Sequence, residues 1–559
     1  MPFAQFVIQT LKNRVVHAVR HHASRLTYNS PLYNWSLGGT VPERLLFSPC
    51  DLWQGDADNA RWLVHSGAFS IGGDRLELHN ADWHPEDVSD QWLEHIHGFD
   101  WIRDLRALGG DIGRRSARHM IENWIYNHQN WDALAWRSDI LGRRLGNLLA
   151  GYDFFGESAD EKFQAMFLDS IVRQLRHLGR ALPGMLHGLP LLYAIKGLAY
   201  GGMTLEGREN YLEQALHLLD EQIDKQILSD GGHITRNPQA LFETIRILID
   251  IRAGLRQAGY PGIEKIQHGL DRAVPALRFF RHGDGAFALF NNCQTNDADA
   301  LKNTVMQSNS RARTLNSLPH SGYERVSMGR SLLIADVGKP PAWPYDAQAH
   351  IAPLSFEFSH GRERIFVNCG THPTCPKWQD ALRSTPAHNT LIIDDRNMCD
   401  VNKDGSPSHR PKKIVVDRDD KKNSNKNDTV LIDACHDGYL PVNGITHRRR
   451  FYLADKGHDF RGEDNLNCAT GLATPHDIAL RFHLHPNVTV SLIKGGTEAL
   501  LRLNNGTGWR FTIVGGELEL ENSVYLGTGI RPRKTKQLVI RGKMTKDHAQ
   551  FKWALQLEN

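Results

Sequence analysis

The chain has 559 residues, 40% hydrophobic and 23% charged, the make-up of a globular protein too long for one ordinary domain. Its 66 lysines and arginines against 63 aspartates and glutamates leave a formal charge of +3, too small a surplus to argue for nucleic acid yet compatible with an anionic substrate. Seven cysteines, odd in number and without CxxC spacing, exclude a disulfide framework and a thiolate zinc site; free thiols are expected, although Cys369 and Cys375 lie close enough in sequence to pair.

Residues 1–26 are basic and mildly amphipathic, but Gln5, Gln9 and Lys12 interrupt the apolar residues before a signal-peptide core forms, and no run is long enough to span a bilayer. The expected location is therefore the cytoplasm or a membrane face. Residues 1–90 read as an aromatic, glycine-rich and loosely ordered extension. From His97 the apolar positions recur every three or four residues, as in Phe163, Phe167, Ile171, Leu175 and Leu178, and again in Leu212, Leu216, Leu219 and Ile223. With short glycine-rich connectors and no strand between them, residues 91–280 predict consecutive helical hairpins. Past Leu277 the period falls to two, in FALF, RSLLIADV, LSFEF, VTVSLI, FTIV, LELE and LVIRG, so residues 281–559 predict a large antiparallel β-sandwich. The strand LSFEF is expected to be half-buried, with Phe356 and Phe358 inward and Glu357 outward. The charged segment Arg418–Asp428 is expected to be a loop. The fold class is α+β multidomain, helices first and sandwich second.

Several polar residues stand where chemistry could be built. His350, Asn368 and His388 lie on or beside successive strands, and serve either as a weak structural zinc site or as a hydrogen-bonded tie between a loop and a sheet edge. His233 and Arg236, in SDGGHITRNP, enter a helix; Arg236 would hold a carboxylate or sulfate by a bidentate contact, or else lock the loop against Asp230. Tyr439 beside His436, and Tyr323 beside His320, could act as acid and base or be strand-end aromatics. Arg143 and Arg144 sit on one expected inner helix, and His483 and His485 share one face of a strand.

These motifs also resemble those of the heparinase II/III polysaccharide lyases over roughly residues 90–559, in WIRDL, RRLGNLL, SDGGHITRNP, LSFEF, AHNTL and THRRRF. The resemblance implies an (α/α) toroid of helical hairpins, then the sandwich, and a lyase acting by β-elimination on an acidic, uronate-containing polysaccharide. It also implies a zinc site at His350, Asn368 and His388, with Asn368 standing where the family carries a carboxylate. Gln348 takes the place of the family's catalytic histidine, Leu189 and Pro190 that of an Asn-His pair, and Ala240 and Leu241 that of a Tyr-His pair. None of these can move a proton near neutral pH. The residues left for catalysis are His233, Arg236, His436 and Tyr439, and for substrate binding Arg143, Arg144, Asn237, Gln239 and Gln348. The alternative is a non-catalytic polysaccharide-binding or assembly protein on the same scaffold. No Asp/Glu pair suggests hydrolysis instead.

Overall fold

The computed structural model describes residues 27–78, 82–421 and 428–558, so the expectation for residues 1–26 falls outside it. Two compact units emerge, Met1–Ile223 with Ile247–Ile266, and Asp224–Arg246 with Gln267–Asn559.

The first unit is built of helices whose apolar stripes turn inward. In helix Glu161–Ala181, Asp160 caps the N-terminus by accepting from the Phe163 N–H at 2.8 Å, and Phe163, Phe167, Ile171, Leu175 and Leu178 are all buried. Helices Ser138–Phe155 and Gly188–Thr204 approach so closely that only glycine fits at the crossing. A Cβ on Gly142 would stand 2.3 Å from the Ala194 Cα, and one on Gly197 2.3 Å from the Gly142 carbonyl oxygen. Gly142→Ala or Gly197→Ala is therefore expected to lower the unfolding free energy by about 3 kcal/mol in denaturant titration. Gly146→Ala, one turn on, meets only the Lys196 Cε at 3.4 Å and should be tolerated.

Within residues 27–78 the N-terminal stretch is ordered, against the loose extension that its composition suggested. Helix Ala57–Ser66 and the hairpin Ala68–Ile71/Asp74–Glu77 follow one another, and the helix packs on helix Trp101–Leu108. Asp51 accepts from Arg103 at 2.8 Å, and the Trp53 indole donates to Asp250 at 2.7 Å. Buried aromatics with polar anchors order this segment, which glycine content alone does not reveal.

The second unit is a sandwich of antiparallel sheets with eight, five and four strands among the described residues. Its core stacks Phe356 on Trp553 at 5.5 Å and Phe358 on Phe460 at 4.5 Å. Strand Phe356–His360, paired on either edge with strands Ser331–Asp336 and Glu363–Phe366, is buried on both faces, one by the aromatic core and the other by the segment carrying His282 and Leu289. Glu357, expected outside, is fully enclosed; its oxygens accept from His282 at 2.9 Å and from the Leu289 and Asn368 N–H groups at 3.0 and 2.9 Å. FALF makes only an isolated bridge between Arg281 and Phe287. The charged segment is strand up to Lys421, and residues 422–427 lie outside the described residues. All seven cysteines are free.

Candidate functional site

Most of the candidate residues from the sequence fall in the second unit, around the loop Phe290-Asn-Asn-Cys-Gln-Thr-Asn296. Asn291, Asn292 and Asn296 have φ of 48°, 66° and 57°, and Arg236 has φ of 58°. Asparagine tolerates this left-handed region better than other side-chain-bearing residues, and its presence there marks a loop held in a fixed shape by its contacts. The Asn291 side chain supplies those contacts, donating to the Tyr323 hydroxyl at 2.6 Å and accepting from the His350 N–H at 3.1 Å.

The geometry at His350 fixes two protons. The Asn292 N–H points at His350 Nε2 from 2.8 Å and can only donate, so Nε2 is bare and Nδ1 carries the proton. That proton goes to His388 Nε2, 2.8 Å away, while His388 Nδ1–H donates to the Ser384 carbonyl at 2.9 Å. Neither ring keeps a lone pair for a metal. Asn368 is committed too, its oxygen accepting from the Asn389 N–H at 3.1 Å and its amide nitrogen donating to the Leu289 carbonyl at 3.2 Å. A zinc ion does not fit this arrangement, which is the hydrogen-bonded tie. Burial drives both imidazoles toward the neutral form, His388 to about 4 and His350 well below its ordinary value.

The other candidates for proton transfer are structural. Buried His233 donates from Nε2 to Gln226 at 3.1 Å and takes the Thr235 hydroxyl at 2.7 Å on Nδ1, and burial lowers its pKa to about 3. Arg236 is buried against Asp336, donating also to the Ser321 and Gly322 carbonyls at 2.6 and 3.1 Å, so it locks the loop and cannot clamp a substrate. Tyr323 is enclosed, its hydroxyl donating to the Arg236 carbonyl at 2.8 Å. Tyr439 gives its proton to the Leu391 carbonyl at 2.6 Å, and His436 meets His447 at 3.2 Å; both are about 1% exposed. His483 lies in the core, on Ser523 and the Pro386 carbonyl.

In the first unit, Arg144 is fully buried and donates to Gln174 at 2.8 Å and to the His97 and Ala135 carbonyls at 2.9 and 2.8 Å. It lies 4.1 Å from the Trp124 ring, and burial without a bonded carboxylate lowers its pKa to about 9. It is a core node, unable to reach a glycan. Arg143 lies over the Tyr193 ring at 4.2 Å and 3.5 Å from Asp100. Periodicity did not reveal a cluster of His84, His97 and His128 in the same unit. There His97 accepts from the Trp124 indole at 3.0 Å and donates to the Trp83 carbonyl at 2.8 Å, so it has no lone pair for a metal.

In the second unit, a wall of amides keeps partial exposure to solvent. Asn237 caps helix Pro238–Gln257 by accepting from the Gln239 N–H at 2.8 Å. Gln239 accepts from Asn296 and donates to Glu243 at 3.1 Å. Exposed Gln348 accepts from the Asn292 amide at 3.1 Å, and Thr371 donates to the Asn292 oxygen. Of these, Asn237, Gln239 and Gln348 were legible in the sequence. Asn292, Gln294, Asn296 and Thr371 were not, although the run NNCQTND carried the signal of residues suited to left-handed turns. Half-buried His187 precedes Leu189 and Pro190 in the first unit, its Nδ1 3.1 Å from the Met185 carbonyl, and no periodicity or motif in the sequence marks it. Pro190 itself is exposed in the first turn of its helix, where it lacks even an N–H to offer.

Comparison with known proteins agrees with this architecture. Residues 84–265 match the family described as Heparinase II/III N-terminus, and residues 310–554 the one described as Heparinase II/III-like, C-terminal. FtsZ-localized protein C of Caulobacter vibrioides is 30% identical over 555 residues, covering 96% of this chain and 94% of its own length. Heparin-sulfate lyase of Bacteroides thetaiotaomicron is 21% identical over 250 residues, covering 40% of this chain and 35% of the lyase. Among solved structures, heparinase III aligns with a TM-score of 0.72 at 16% identity, over 94% of this chain and 90% of that one. A mutant of heparan sulfate lyase HepC from Pedobacter heparinus aligns at 0.63 and 15% identity, over 98% and 88%.

Proposed function

Because the chain belongs to the heparinase II/III-like family, with its helical toroid and β-sandwich, we propose that it is a non-cleaving member that binds a polysaccharide and acts as an assembly protein. The observation that carries this reading is the state of the replaced positions. The neutral amide of Gln348 faces solvent where the family would carry an imidazole, and His350 beneath it has its proton committed to His388. β-Elimination needs a base for the C5 proton and an acid for the departing oxygen, and an amide is neither. The name of the Caulobacter relative refers to its place beside FtsZ and to no reaction, which favours the assembly role. The cytoplasm or a membrane face is the compartment this role would need.

The test is prolonged incubation with a panel of acidic polysaccharides, followed by size-exclusion chromatography, and co-sedimentation with FtsZ filaments. Polymers retained by the protein yet recovered at full length support the reading. Shortened chains would overturn it and favour a lyase with relocated groups. Half-buried His187, beside the replaced Asn-His positions, is the group such a lyase would draw on, and His187→Ala would then abolish the shortening.

A further inference from the structure

Resting on the binding role proposed above, we infer that the amide wall of the second unit is a subsite for an uncharged glycan rich in hydroxyl and N-acetyl groups, and that it disfavours uronates. Its free valences alternate. With its oxygen taken by Asn292, Gln348 presents its NH2 group as a donor. The Asn296 amide nitrogen is given to Gln239, which leaves the Asn296 oxygen to accept. Gln294 donates to the Thr371 and Gly529 carbonyls at 3.1 and 2.9 Å, and its oxygen likewise stays an acceptor. Hydroxyl and acetamido groups both donate and accept, and match such a surface without bringing a charge.

Among these amides a carboxylate meets one free donor, the Gln348 NH2 group, while the Asn296 and Gln294 oxygens repel it. Two arginines behind the loop are turned inward, Arg236 to Asp336 and Arg383 to the Ala349 carbonyl at 3.1 Å and to the Gly405 carbonyl at 2.5 Å. In the basic segment Arg531–Lys536, which follows Gly529 in sequence, Arg533 donates to Asn487 at 3.0 Å and Lys536 to Asn522 at 2.9 Å, while Arg531 and Lys534 are exposed. Glu243 accepts from the Gln239 amide at 3.1 Å and has the Arg246 guanidinium 3.7 Å away, so this edge of the wall offers a uronate no unbalanced positive charge. The left-handed backbone at Asn292 and Asn296 sets the amides in fixed positions, as a preorganised binding surface requires.

The experiment is calorimetric titration of the full chain with an N-acetylglucosamine oligosaccharide and with an oligogalacturonate of equal length, each at low and high salt. The neutral oligomer is expected to bind about tenfold more tightly and with little salt dependence. Gln348→Ala and Asn296→Gly, the latter keeping the left-handed backbone accessible, should each weaken it by about three- to tenfold. Preferred, salt-sensitive binding of the uronate would overturn the inference and leave the binding role standing. Wild-type affinity in both variants would also overturn it, by placing the ligand elsewhere. Failure to bind any glycan would remove the binding role and the subsite together.

Discussion

Replacing Asp464 with alanine is expected to destabilise the sandwich unit by about 3–5 kcal/mol, because it removes the acid at the centre of a fully enclosed polar network. Asp464 accepts from His447 at 2.7 Å, from Arg449 at 2.6 Å and from the Trp553 indole at 3.2 Å. Burial works against its charge, but Arg449 and His447 outweigh that and hold its pKa below the usual carboxylate range. In the variant, Arg449 would be a buried cation with only carbonyls for company, those of Leu354 and Asn389 at 3.0 and 2.9 Å. Denaturant unfolding followed by tryptophan fluorescence reads the loss. Asp464→Asn keeps an acceptor of the same shape and should cost less than Asp464→Ala. A change under about 1 kcal/mol in the alanine variant would show that the network adds little to stability.

Mild acid is expected to have an effect of similar size. His388 and His233 are enclosed, and burial lowers their pKa values to about 4 and about 3, against 6.5 for an unfolded histidine. Between pH 6.5 and those values the unfolded chain binds more protons than the folded one, so stability falls as pH falls. It is complete above the unfolded value and lost as pH drops through the folded ones. At about 1.4 kcal/mol per pKa unit, His388 alone forfeits about 3 kcal/mol by pH 4. His350, His436 and His483 shift in the same direction, by burial first and then by neighbouring imidazole or arginine charge. Unfolding midpoints measured across pH 7 to 4 should therefore fall steeply, and a flat profile would contradict the neutral-imidazole assignment.

The order of helices and strands was legible because stripes such as Phe163 to Leu178, and alternations such as Phe551, Trp553 and Leu555, are local signals that the folded chain obeys. The site was legible in part. The spacing of His350 and His388 correctly brought two imidazoles together, yet whether a metal or a hydrogen bond joins them depends on the Asn292 N–H, which arrives from another loop. The same holds for Arg236 and Tyr439, polar residues in suggestive places whose partners, Asp336 and the Leu391 carbonyl, are distant in sequence. Glu357 shows the converse. Strand alternation puts it outward, and only the additional layer carrying His282 and Leu289 encloses it.

The retained scaffold with exchanged proton-handling groups is tested most directly by ultraviolet absorbance of uronate polysaccharides mixed with excess protein. Elimination creates a conjugated double bond at the new non-reducing end, and one turnover per molecule suffices to see it. No rise in absorbance across a panel of uronate polymers is the predicted result. A rise above that of the polymer alone, abolished by His187→Ala or His350→Ala, would contradict the account.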